Sequence, residues 1–220
     1  MRVVIAGGHG QIALVLERLL SGRGDNPVGL VRNPAHADDL AVAGAEAVVC
    51  DLESATADEL AGHLKDADAV VFAAGAGPNS GTDRKDTVDR AAAVLLAEAA
   101  VLAGIRRYLL VSSMGVGRPL AAGSDESWTA YIAAKTAAED AVRGYDFDWT
   151  VLRPGALTND APTGRIRLET PGTTRGTVTR ADVAAVLVAL LDAPATAGLT
   201  LELIAGEDDI PAAVAAVSRP

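Results

Sequence analysis

The chain has 220 residues, half of them apolar but only 3% aromatic, and a formal net charge of −10. That length suffices for one domain with a full core, and a core drawn mainly from Ala, Val and Leu suits helices laid on a buried sheet better than a sandwich. The charge, unrelieved by any run of Lys or Arg, argues against nucleic acid or an anionic membrane as partner.

From the N-terminus, Met1-Arg2 leads straight into an apolar run and no later stretch reaches spanning length; with no room for a secretory signal, a soluble cytoplasmic protein is expected. Short Val/Ile/Leu runs then alternate with longer Ala/Leu/Glu-rich stretches, as repeated strand–helix units do. Strands are expected over 3–6, 27–31, 46–50, 69–73, 107–112, 148–152 and 200–204. Helices are expected over 11–20, 39–42, 58–64, 84–103, 126–143 and 180–191. Parallel strands joined by right-handed crossovers give an α/β fold, a Rossmann-type doubly wound parallel sheet in one domain over 1–220. Residues 155–176, rich in Thr, Pro and Gly, carry neither period and are expected to form a small substrate loop beyond the carboxyl edge of the sheet. Cys50, the sole cysteine, reads as a small buried hydrophobe in a reducing compartment.

The first strand is followed by Gly7-Gly8-His9-Gly10-Gln11-Ile12-Ala13, which satisfies G-x-G-x-x-A from Gly8 and G-x-x-G-x-x-A from Gly7. Such a loop turns tightly, lets backbone approach a pyrophosphate and offers it the free N–H groups and positive dipole of a helix start. Its place between a strand and a helix is the context a dinucleotide site requires. His9, at the tip, is either a solvated side chain or a phosphate contact. The second strand ends in Val31-Arg32-Asn33, with no acid for the ribose hydroxyls of NAD; a guanidinium there can pair with a 2′-phosphate, so NADP is expected before NAD. Asp51 and Leu52, after the third strand, can reach the adenine edge, although Asp51 can equally cap a turn.

The fifth strand runs into Ser112-Ser113, and Ser113 is positioned to hydrogen-bond a substrate carbonyl. In Tyr131-Ile132-Ala133-Ala134-Lys135 a phenol and an ammonium share one helix face, and the cation is expected to lower the phenol's pKa towards that of a working acid or base. His9, His36, His63 and Cys50 show no metal-ligand spacing.

Together these segments, with Ala73-Ala74-Gly75-Ala76-Gly77, Arg153-Pro154-Gly155 and Thr179-Arg180-Ala181-Asp182-Val183-Ala184, resemble the short-chain dehydrogenase/reductase superfamily. They are most similar to its atypical branch of small NAD(P)H-binding, epimerase/dehydratase-like proteins. The resemblance implies that Ala74, Gly75 and Pro154 contact the cofactor, that Tyr131 exchanges a proton, that Lys135 holds the nicotinamide ribose and tunes Tyr131, and that Ser113 orients the substrate. Asp89 stands where larger relatives commonly carry Asn, which departs from their proton relay, and the chain after Gly155 is short for a nucleotide-sugar lobe. Three functions follow: an NADP-dependent oxidoreductase acting on a small carbonyl or related electrophile, an NADPH-binding sensor, or an epimerase/dehydratase using transient hydride transfer.

Overall fold

A computed structural model describes residues 1–77, 84–120 and 123–218. Its sheet begins with β1 (Arg2–Ala6), whose side chains alternate between two buried faces: Val3 and Ile5 enter one apolar cluster, Val4 and Ala6 the other. A strand covered on both sides must be apolar at every position, which is why β1, β4 (Ala69–Phe72) and β5 (Arg107–Val111) read as near-continuous Val/Ile/Leu runs.

Beside β1 on one flank lie β2 (Asn26–Val31) and β3 (Glu46–Val49); on the other lie β4, β5, β6 (Asp148–Pro154) and β10 (Leu199–Ala205), all parallel. The chain leaves β1 towards β2 and β3, then returns to set β4 against the other edge of β1, in register from Val3 opposite Ala69 to Ala6 opposite Phe72. This reversal opens a crevice at the carboxyl ends of β1 and β4, the place where doubly wound sheets bind ligands.

One face is covered by α1 (Gln11–Gly22), α6 (Arg180–Leu191) and α7 (Ile210–Val217). The other is covered by α3 (Ala57–His63), α4 (Ala92–Leu102) and α5 (Glu126–Arg143), while α2 (Ala37–Val42) sits on a small satellite cluster around Leu40. Local chemistry sets several helix starts: Thr56 and Glu59 form a reciprocal capping box, and the Asp125 and Thr179 side chains accept from Ser127 N and Asp182 N.

Two expectations change. Residues 155–176 are not an irregular loop: they hold β7 (Ala156–Thr158), which pairs with β9 (Thr177–Thr179), and β8 (Arg165–Glu169), which adds antiparallel to β10. With β11 (Asp208–Asp209) beyond β8, the nine-stranded sheet is therefore parallel except at this edge. The physical signal is the alternation Arg165-Ile166-Arg167-Leu168, buried only at Ile166 and Leu168, which the surrounding Thr, Pro and Gly obscure. The helix expected over 84–103 starts as a wide π-turn, Lys85–Ala91, before continuing as α4.

Candidate active site

At the end of β1 the chain turns on Gly7, whose φ of +83° favours glycine; a Cβ there would lie 2.7 Å from Ala74 Cα. Gly10 is the N-cap of α1 and Ala13, fully buried, lets the helix settle on the sheet. Gly8 does a different job from the one its motif suggests. It is buried against β2, where a Cβ would lie 2.6 Å from Gly29 Cα, and it lines neither cavity described below. Gly10 offers no side-chain cap and the first turn of α1 holds no acid, so the amides at the helix start keep their capacity for an anion.

Two cavities meet over this loop. The smaller, about 390 Å³, is lined by Gly7, His9, Arg32, Asp51, Leu52 and Ala74, among others. There His9 stacks on His36 with ring centroids 3.6 Å apart, and its Nε2 lies 2.7 Å from Asp39 Oδ2. Asp51 caps a turn, its Oδ1 accepting from Glu53 N at 3.1 Å, and still faces the cavity. Glu53 is the feature the sequence did not disclose. Arg32 donates to its carboxylate at 2.8 Å, Arg84 at 3.0 Å and Thr87 Oγ1 at 2.7 Å. The Thr87 hydrogen bond, aided by the two guanidinium groups, holds this carboxyl below the usual range. An acid does reach this cavity beside Arg32, two residues beyond Asp51 rather than at the end of β2.

The larger cavity, about 970 Å³, is lined by Gly10, Gln11 and Ile12 from the glycine loop and by Ser113, Tyr131 and Lys135. Ala74, Gly75 and Pro154, from the ends of β4 and β6, complete the lining. Both serines of the Ser112-Ser113 pair line the cavity; Ser112 donates to buried Glu139 at 2.5 Å, inside a network with Arg143 and Arg153. Ser113 Oγ accepts from Gly115 N at 3.3 Å, and its hydroxyl acts to lower the pKa of the Tyr131 phenol.

The electrostatics of Tyr131 run opposite to expectation. Burial and the nearby Asp89 carboxylate push its phenol up to about 12, against the lowering effect of Ser113. Lys135 does not offset this, because its ammonium is committed elsewhere: it lies 3.2 Å from Asp89 Oδ1 and donates to Val111 O at 3.2 Å and Ala74 O at 3.5 Å. Its nitrogen stays 5.9 Å from the Tyr131 ring centroid. Asp89 is thus the buried counter-ion of Lys135, and its second oxygen accepts from Ala76 N. Sequence reasoning also passed over Lys85, which stands one helical turn before Asp89 and lines the same cavity with its nitrogen 5.4 Å from the Tyr131 ring centroid.

The motif Thr179–Ala184 proves to be a staple. Asp182, buried, accepts from Thr163 N, Gly164 N and the Thr179 hydroxyl, fastening the turn before β8 to the start of α6.

Comparison with known proteins agrees with this geometry. A family described as NAD(P)H-binding matches residues 7–194. The uncharacterized sugar epimerase YhfK of Bacillus subtilis is 34% identical over 215 residues, 96% of this chain and 97% of its own. Among solved structures, a Bacillus halodurans protein provisionally named an NAD-dependent epimerase/dehydratase superposes with a TM-score of 0.91 at 33% identity, covering 98% of this chain and 99% of that one. ChuY of Escherichia coli O157:H7, named an anaerobillin reductase, does so with a TM-score of 0.77 at 27% identity, covering 93% and 97%.

Proposed function

The chain belongs to the NAD(P)H-binding family, and from that premise we propose that it is an NADP-dependent oxidoreductase that reduces a small carbonyl compound with Tyr131 as proton donor. The observation that carries this is the shared lining: Ser113, Tyr131 and Lys135 line the same cavity as Gly10, Gln11 and Ile12 of the glycine loop that would hold the dinucleotide. The residues fit such a cofactor. Gly7 permits the turn, the start of α1 leaves amides for a pyrophosphate, and Arg32, Leu52 and His36 line a separate cavity for the adenosine end.

When bound, the reduced nicotinamide supplies the hydride that a carbonyl carbon accepts. The chain's own part is to hold the carbonyl oxygen and protonate it. Ser113 donates a hydrogen bond to that oxygen, and the Tyr131 hydroxyl delivers the proton, so the C=O bond becomes CH–OH with charge balanced. A phenol titrating near 12 is protonated throughout the neutral range and serves as an acid, not a base. This favours reduction over epimerisation, which would require the same phenol to act first as a phenolate. Lys135, pinned by Asp89, Ala74 O and Val111 O, is placed to hold the ribose.

NADP preference rests on Arg32, which must exchange Glu53 for the 2′-phosphate. The name of ChuY as a reductase supports the reductive direction. The test is a screen of small aldehydes, ketones and quinones for NADPH oxidation by the purified protein. Turnover of at least one class is expected; tight NADPH binding with no turnover of any would replace the enzyme by a sensor.

A further inference from the structure

The chain is strongly acidic, yet the larger cavity is not. Five of its charged lining residues beside Lys135 divide unevenly: Lys85, Arg175 and Arg180 against Asp89 and Asp125. Both acids are engaged, Asp89 with Lys135 and Ala76 N, Asp125 as the cap that accepts from Ser127 N. None of the three cations has a carboxylate partner among the described residues. Lys85 donates to Gly77 O at 2.5 Å, and Arg180 donates to Asn159 Oδ1 at 2.7 Å.

Lys85 is the informative member. It is 5% exposed, and a buried ammonium with no counter-charge among the described residues is costly unless a ligand supplies one. It faces the Tyr131 ring rather than the glycine loop, so the missing charge belongs near the reacting carbonyl and not with the pyrophosphate. Arg175, exposed and without a partner among the described residues, lies just before Gly176, whose carbonyl accepts from Ala156 N beyond the end of β6. It is placed to meet an incoming anion at the cavity mouth.

We infer that the substrate carries a carboxylate, drawn in past Arg175 and held by Lys85 beside the carbonyl to be reduced. For turnover this rests on the oxidoreductase function proposed above; for binding it does not. It also gives the acidic protein a local positive field where substrate enters.

Benzoate and benzamide, titrated calorimetrically into the NADPH-loaded protein, test the binding. Benzoate is expected to bind about ten-fold or more tightly than benzamide, the worth of one charge-assisted contact. Lys85→Met and Arg175→Ala should each erase most of that preference while NADPH affinity stays within about two-fold, and Lys85→Arg should retain it. Equal binding of the two probes by the wild type, or a benzoate preference that survives both charge-removing variants, would overturn the inference. A parallel assay compares 4-carboxybenzaldehyde with methyl 4-formylbenzoate as substrates. If the ester is reduced as efficiently as the acid, the oxidoreductase stands and the carboxylate site fails. If benzoate binds selectively but neither aldehyde is reduced nor any other carbonyl, the carboxylate site stands and the proposed chemistry fails.

Discussion

At the scale of single residues, the proposed NADP preference turns on a competition at Arg32. Its guanidinium is shared between Glu53 in the free protein and a 2′-phosphate in the proposed complex, so Glu53 subtracts from NADPH affinity. The wild type is expected to prefer NADPH to NADH, and Arg32→Ala to lose about ten-fold of that preference. Glu53→Gln, which frees Arg32 and Arg84, should strengthen it. Fluorescence titration with both cofactors measures each case, and equal affinities in the wild type would contradict the assignment. That Arg32 would line one cavity and Ser113, Tyr131 and Lys135 another was legible because strand ends and helix spacing fix where such side chains emerge. Glu53 and Lys85 were not, since neither falls in a motif. Their roles come from a turn after β3 and a π-turn before α4 that no hydrophobic period announces.

At the scale of elements, the glycine loop and its flanking strand and helix follow from sequence because each glycine has a local steric reason. The segment 155–176 does not, because β8 is a short edge strand whose partner, β10, lies far along the chain. What secures it is Asp182, reached by two backbone amides and two hydroxyls. Asp182→Ala should therefore cost about 1.5–3 kcal/mol, the range for hydrogen bonds to a charged group, as measured by urea unfolding. Asp208→Ala, exposed at the sheet edge, should cost less than about 0.5 kcal/mol. Similar losses in the two variants would mean that Asp182 is no staple.

At the scale of the whole molecule, stability should carry an unusual pH slope from Glu17. This residue lies on the buried face of α1 with Ala13, Leu16 and Leu20, and both its carboxylate oxygens lack hydrogen-bond partners among the described residues. Ala13, four residues before it, and Leu20, three after, share its face of the helix. Burial lifts its pKa to about 8. Between its unfolded value and 8 the folded chain holds a proton that the unfolded chain has released, so stability falls as pH rises, by up to about 1.4 kcal/mol per pH unit, and levels off above that window. Glu17→Gln should remove this slope, gaining on the wild type progressively from pH 5 to pH 8 in urea unfolding; parallel curves for the two proteins would refute it.

The same scale holds the central claim, that two cavities in one crevice join cofactor binding to proton delivery, because these jobs belong to different side chains and can be separated. Tyr131 and the glycine loop line the same larger cavity, and in the proposed mechanism the Tyr131 hydroxyl matters to the reduced product and not to the dinucleotide. The decisive measurement is the rate of NADPH-dependent carbonyl reduction by Tyr131→Phe beside its NADPH affinity. A fall in kcat of roughly 10²–10⁴ with affinity nearly unchanged is the result expected of a lost general acid. Full activity in the variant would contradict the assignment of Tyr131 as proton donor.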